Sequence, residues 1–183
     1  RLFCDAYAKQ IYDWCADNNL RSTGHIVAED NVCDQLRCTA GAMPFYEYMQ
    51  IPGIDWLCRS IGNILTAKQA TSSADQLGRE FCITEAFGWN ISFEDLRWIG
   101  DYQYVLGLSM MCQHLAWYSM RGHRKRDYPP SLFYQQPWWD KYGAFNAHFG
   151  RLSSIIANCP VIGDIMILHP LHSAWMTYVG GGY

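Results

Sequence analysis

Short apolar segments alternate along this chain with longer segments of helical periodicity, and this alternation restricts the folds open to it. The helical patterns cover residues 2–18, parts of 32–50, a segment that begins at residue 72, and residues 92–107 and 138–157. The strand-like segments are residues 20–28, 54–57, 61–67, 80–84, 108–118 and 164–168. Strands that alternate with helices usually pair in parallel as βαβ units. The pattern therefore predicts an α/β fold with a parallel sheet.

Polar side chains stand at or beside the ends of these predicted strands. Parallel sheets bind their ligands at the carboxyl ends of the strands, where the connecting loops converge. We expect one site there, lined by His25, Glu29, Asp55, Lys68, Gln69, Glu85, His114 and Trp117.

Glu29 and Glu85 follow two different predicted strands. A glycosidase needs two carboxyl groups that flank the scissile bond, one to protonate the leaving oxygen and one to attack or to activate water. A fold that aims both glutamates into one cleft would supply such a pair. The alternative is that each glutamate is a solvated loop residue.

His25 lies four residues before Glu29, and His114 lies inside an apolar segment. Each imidazole is either a hydrogen-bonded core group or a donor to a substrate hydroxyl. Zinc bound by both histidines and a carboxylate is a third interpretation, but no HExxH-type spacing supports it. Aromatic residues near the strand ends serve either the core or the apolar faces of sugars: Trp56, Trp89, Trp117 and Tyr118.

Net charge, apolar runs and cysteine spacing limit the partners and the cellular location that we expect. The formal net charge of the 183 residues is −3, which argues against nucleic acid as the main partner. The sequence contains no run of about 18 apolar residues, so it predicts no membrane span. The eight cysteines form no CxxC pair, so we expect reduced core thiols, which favours the cytoplasm.

The apolar content also predicts a missing partner surface. Only 17% of the residues are charged, against about 25% in a typical domain, and 15% are aromatic. The first residues already belong to a helical pattern, and the last predicted strand has no neighbour to pair with. We therefore expect a piece of a larger protein, whose apolar faces pack on the missing part.

Several motifs together resemble glycoside hydrolase family 106, the α-L-rhamnosidase type. They are Thr23-Gly24-His25 with Glu29, Pro52-Gly53-Ile54-Asp55, Lys68-Gln69 with Ser72-Ser73, Thr84-Glu85-Ala86-Phe87-Gly88-Trp89, and the run from Arg121 to Trp139. More broadly, the order of the motifs is similar to that of (β/α)8-barrel glycoside hydrolases.

The resemblance implies the C-terminal half of a (β/α)8 barrel in residues 1–159, carrying strands four to eight. The missing part on which its apolar faces pack would then be the N-terminal half of its own barrel. It implies that residues 160–183 begin a following flavodoxin-like (glutamine-amidotransferase-like) α/β domain with the strand at 164–168. Glu29 would then end the fourth barrel strand and Glu85 the seventh, with residues 64–67 as the sixth.

The resemblance further implies hydrolysis of α-L-rhamnosides in polysaccharides, with Glu29 as general acid and Glu85 as general base or nucleophile. The sugar subsite would be formed by His25, Asp55, Lys68, Gln69, His114 and Trp117. The family is associated with calcium, for which Asp30, Asp55 and the two glutamates are the available oxygen ligands. It often works in the periplasm, so the location stays open between periplasm and cytoplasm of a bacterium.

Three other interpretations remain at this stage. The barrel is a carbohydrate-binding protein without catalysis, the chain is an inactive fragment of an enzyme, or it is a metal-dependent hydrolase. Neither the sugar, nor the linkage, nor retention against inversion follows from the sequence.

Overall fold

The computed structural model describes residues 1–57, 62–88, 92–116, 118–126, 132–159 and 161–180. Its strands are β1 (Gly53–Trp56), β2 (Ile83–Ala86) and β3 (Met110–Gln113). Its helices are α1 (Lys9–Asp17), α2 (Val32–Cys38), α3 (Met43–Tyr46), α4 (Ile64–Gln76), α5 (Phe93–Val105), α6 (Tyr142–Ile156) and α7 (Leu171–Thr177). A π-helical turn, Cys4–Ala8, precedes α1 without a break, and two 3₁₀ turns cover Gly122–Lys125 and Trp139–Lys141.

The three strands form one parallel sheet in the order β1-β2-β3. Helix α4 connects β1 to β2, and α5 connects β2 to β3, as expected for successive βαβ units. An isolated parallel bridge between Thr23 and Ile51 lies just upstream of β1. The predicted α/β class with a parallel sheet is confirmed, whereas the half-barrel and the following domain remain predictions.

The predicted strand at residues 61–67 is wrong. Within the described residues, Ile64–Ala67 is the first turn of α4, and the Asn63 side chain caps this helix by accepting from the Leu65 N–H. An asparagine at the N-cap position favours a helix over a strand, and the residues that follow Asn63 include the good helix formers leucine, alanine, lysine and glutamine. As a result β1 and β2 are direct neighbours, and Asp55 pairs in register with Glu85.

Three other predicted strands are shorter than expected or lack regular structure. In residues 20–28 only Thr23 forms a bridge, and the segment 108–118 contributes only β3. No strand forms at residues 164–168, where Ile165, Met166, Ile167 and Leu168 are 86–92% exposed. Apolar runs form strands only beside a pairing partner, and the described chain offers none to this last segment.

Two buried clusters hold the helices on the sheet. One lies between the N-terminal helices, α4 and β1, and contains Tyr46, Ile54 and Leu108. The other lies beneath α5 and α6 and contains Phe87, Leu96 and Ile99. The helix predicted at residues 2–18 is present. It buries its small side chains, Cys4, Ala8 and Cys15, and leaves its aromatic side chains Phe3, Tyr7 and Trp14 about half exposed.

The predicted start of α5 is confirmed in detail. The Ser92 hydroxyl accepts from the Asp95 N–H, and the Asp95 carboxylate accepts from the Ser92 N–H, which completes a capping box. Gly107, predicted as the C-terminal stop, has φ +106°, a conformation that glycine adopts without strain. Among the helices described, none is both long and apolar enough to cross a membrane.

Candidate functional site

Three side chains meet at the carboxyl edge of the sheet. His25 Nε2 lies 3.2 Å from Glu85 Oε2 and 3.8 Å from Asp55 Oδ2. All three side chains are about one-third exposed. They come from three consecutive segments of the sheet edge, namely the loop after Thr23 and the strands β1 and β2. The sequence prediction that these residues share one site therefore agrees with their placement.

A close approach of two backbones brings His25 to the sheet. A Cβ atom added to Gly53 would lie 2.6 Å from Ile83 Cγ2 and closer still to the carbonyl oxygen of Gly24. Only glycine permits this contact without displacing the loop. Because Gly24 immediately precedes His25, the contact sets how close the imidazole comes to β1 and β2.

Glu29 lies beneath this edge and not in the open site. Its side chain is 2% exposed. The Asp55 N–H donates to Glu29 Oε1 at 2.7 Å, and the Tyr46 hydroxyl donates to Oε2 at 2.8 Å. The N–H of Ile26 also donates to the carboxyl group. Both oxygens are therefore engaged by groups of the protein.

Two buried amides fix the main chain of Glu29. Gln35 Nε2 and Gln69 Nε2 donate to the carbonyl oxygen of Glu29 at 3.0 and 2.9 Å. Gln35 also donates to Gln69 Oε1 and accepts from the Ala42 N–H. Buried polar groups that are satisfied in this way specify one backbone position.

Burial shifts the pKa values of two carboxyl groups at this edge. It raises the pKa of Glu29 to about 8, although the hydrogen bonds from Asp55, Tyr46 and Ile26 oppose the shift. Burial also raises the pKa of Asp55, the charge of Glu85 adds to the shift, and the nearby His25 and His114 oppose it. At pH 7 Glu29 is thus a neutral acid, as general acids are.

The other predicted site residues are placed differently. Lys68 and Gln69 were expected at a strand end, but both lie in α4. Gln69 is buried against Glu29, and Lys68 borders a cavity of about 430 Å³ near the amino ends of β2 and β3. This position follows from the helical conformation of residues 64–76, so the expectation that Lys68 lines the site edge is wrong.

His114 follows β3 directly, and its N–H donates to the carbonyl oxygen of Ala86. It is half-buried, and its charge acts on Asp55. Among the predicted aromatic platforms, Trp56 packs against both core clusters and Tyr118 is exposed. The predicted site residue Trp117, and also Trp89, lie outside the described residues.

The donor atoms of His25, Asp55 and Glu85 lie within 4.8 Å of one another, close enough to surround a cation. Calcium takes six to eight oxygen ligands. One imidazole and two carboxylates do not make such a shell, and Asp30 is exposed outside this cluster. The described residues therefore do not fit calcium by themselves, and their mixed donors are closer to those that zinc accepts.

Sequence reasoning missed Tyr46 and Gln35, which with Gln69 are the side chains that donate to Glu29. Tyr46 lies in the short helix α3, two residues after Pro44, and Gln35 lies mid-way in α2. Neither position carries a motif.

Comparisons with known proteins support the fold. A rhamnosidase from Novosphingobium sp. PP1Y superposes with a TM-score of 0.66 over 85% of this chain, at 16% sequence identity. The match covers 16% of the rhamnosidase, so this chain spans a small part of that protein's length. No protein-family model matches the chain, and no curated protein matches it. At this identity the likeness shows a shared fold and leaves the activity open.

Proposed function

We propose that this chain forms part of the catalytic domain of a glycoside hydrolase and that Glu85 is one of its reacting carboxylates. The observation that carries the proposal is the meeting of Glu85, Asp55 and His25 at the carboxyl edge of a parallel sheet. Such edges are where α/β enzymes bind their substrates. The likeness to part of a rhamnosidase supports α-L-rhamnosides as the substrate class.

Glu85 suits the role of base or nucleophile. Its carboxylate is partly exposed, and His25 Nε2 lies 3.2 Å from its Oε2. Such a contact orients the oxygen that would attack the anomeric carbon or take a proton from a water molecule.

Asp55 suits a supporting role. One of its oxygens lies within 4.8 Å of an oxygen of Glu85, and His25 lies beside both carboxyl groups. We assign Asp55 to binding sugar hydroxyls on the same side as Glu85, together with His25.

The sequence predicts Glu29 as the proton donor. A pKa of about 8 supports this role, because a general acid must be protonated at the working pH. Its enclosure is less suited to the role, because a proton donor must come within hydrogen-bonding reach of the leaving oxygen. The role of Glu29 is therefore tested separately from that of Glu85.

The decisive comparison is between Glu85→Gln and Glu80→Gln in the full-length natural protein. Glu80 is an exposed glutamate near the opposite, amino end of the same strand, so it controls for loss of charge alone. We expect Glu85→Gln to lower kcat on an aryl α-L-rhamnoside by at least about 100-fold and Glu80→Gln to leave it unchanged.

An active Glu85→Gln variant would overturn the assignment of Glu85. If no aryl glycoside in a panel is cleaved but calorimetry detects rhamnose binding that Glu85→Gln weakens, the chain belongs to a carbohydrate-binding protein. Absence of both hydrolysis and binding would reject the proposed function altogether.

A further inference from the structure

We infer that Glu29 is a positioning residue, whose carboxyl group holds together the two backbone segments that carry His25 and Asp55, and that it is not the proton donor. The inference rests on the proposed function, because it concerns the geometry of the same site. It assigns to Glu29 a role different from the one that the sequence predicts.

The contacts of the carboxyl group support this role. It accepts from the N–H of Asp55, a site residue on β1, and from the N–H of Ile26, the residue after His25. One carboxyl group thus bridges the backbones of two segments that also meet further upstream, where Thr23 forms a β-bridge with Ile51 and donates its hydroxyl to the Ile51 carbonyl oxygen. Its position fixes how far the imidazole of His25 lies from the carboxylate of Asp55.

The surroundings of Glu29 leave it little freedom to do anything else. Tyr46 donates to the second oxygen from a fully buried position, while Gln35 and Gln69 hold the main-chain carbonyl. Turning the carboxyl group toward the open edge would break its hydrogen bonds to the Tyr46 hydroxyl and to the N–H groups of Asp55 and Ile26, and would leave these donors buried without a partner. Each buried group left unpaired in this way costs about 1–3 kcal/mol.

A general acid needs the opposite arrangement. It must lie within about 2.6–3.2 Å of the leaving oxygen, or be linked to it by one water molecule. Glu29 lies behind the backbone of Asp55 and is 2% exposed. A residue in this position acts on the substrate through Asp55 and His25.

The variant Glu29→Gln separates the two roles. Glutamine keeps an acceptor oxygen for the Asp55 N–H and presents an NH₂ donor to the Tyr46 oxygen, but it cannot release a proton to a leaving group. A positioning role therefore survives the change, whereas general acid catalysis is lost. Glu29→Ala removes both the acceptor oxygen and the proton, so it should abolish either role.

The readout is kcat/KM on two α-L-rhamnosides, one with an activated dinitrophenyl leaving group and one with a poor alkyl leaving group. For Glu29→Gln we expect both substrates to stay within about threefold of wild type, because no proton transfer is lost. A loss of about 100-fold or more that is confined to the alkyl rhamnoside would overturn the inference and make Glu29 the acid.

A second readout does not depend on activity. The ring resonances of His25, assigned by comparison with His25→Gln, are sensitive to the placement of the imidazole beside Asp55 and Glu85. We expect them to be unchanged in Glu29→Gln and displaced in Tyr46→Phe, which removes one bond from Glu29 and keeps the core volume. Unchanged resonances in Tyr46→Phe and in a folded Glu29→Ala would overturn the positioning role.

The two failures are thus distinguishable. If the wild type cleaves no glycoside, the proposed function fails, and the His25 resonances still decide whether Glu29 positions the site. If the wild type is active but Glu29→Gln shows the leaving-group dependence of a lost acid, the proposed function stands and this inference fails.

Discussion

His25 Nε2 lies 3.2 Å from Glu85 Oε2, and this contact joins a loop to a strand that is far from it along the chain. The imidazole can orient the carboxylate that we assign to the reaction. We expect His25→Gln to lower kcat/KM on an aryl α-L-rhamnoside by about 10- to 100-fold. His123→Gln, a change in the exposed 3₁₀ turn, is the matched control and should have no effect. Equal activities of the two variants would contradict the role of His25.

The same imidazole acts on the ionisation of Asp55. Burial raises the pKa of Asp55, and the charge of His25 opposes this shift. Removal of that charge in His25→Gln should therefore raise the pKa of Asp55 further. A carboxyl ¹³C titration by NMR measures this change directly. A pKa of Asp55 that falls or stays constant would show that the two groups do not interact in solution.

Glu29 should make stability fall as the pH rises. Its pKa is about 8 in the folded chain and 4.5 for an unperturbed glutamate, so the folded state retains a proton that the unfolded state loses between these values. The resulting decrease in the free energy of unfolding is absent below pH 4.5, grows as the pH rises to 8, and is at most about 5 kcal/mol. The side chain introduced by Glu29→Gln does not titrate, so this variant lacks the pH-dependent decrease in stability.

Calorimetric Tm values of wild type and Glu29→Gln at pH 5 and pH 8 test this expectation. Relative to Glu29→Gln, the wild type should be less stable at pH 8 than at pH 5. Glu80→Gln, at an exposed glutamate, serves as the control for a general charge effect. A constant difference between wild type and Glu29→Gln would show that Glu29 titrates normally.

The sequence predicted the components of the site better than their arrangement. The positions of Asp55 and Glu85 on or beside strands were predictable, because Asp55 lies within one short apolar segment and Glu85 directly follows another. The direction of Glu29 was not, because it depends on Tyr46, Gln35 and Gln69, which come from three different helices. Such tertiary contacts have no local signature.

The prediction of a strand at residues 61–67 failed for a related reason. A short apolar run is compatible with either a buried strand or the first turn of a helix, and periodicity alone does not separate them. Asn63 was the available signal, since its side chain caps α4. Reading it as a cap would have made β1 and β2 neighbours and placed Asp55 beside Glu85.

Gly53 should tolerate no side chain. A Cβ atom there would meet the Gly24 carbonyl oxygen and Ile83 Cγ2, both in the packed edge of the sheet. We expect Gly53→Ala to lower the free energy of unfolding by about 1–3 kcal/mol, as overpacking does. Gly150→Ala is the control, because Gly150 lies in α6 with open space around it and alanine favours helices. The two changes should shift Tm in opposite directions.

The parallel order β1-β2-β3 also has a consequence for how the site comes into being. Each strand pairing requires the chain to close a loop that contains a whole helix, and such non-local closures slow folding. His25, Asp55 and Glu85 become neighbours only after the β1–β2 pairing across α4 and the closure of the loop between Thr23 and Ile51. A chain emerging from the ribosome would have its helices well before it has its reactive centre, so the centre is among the last parts of this unit to form.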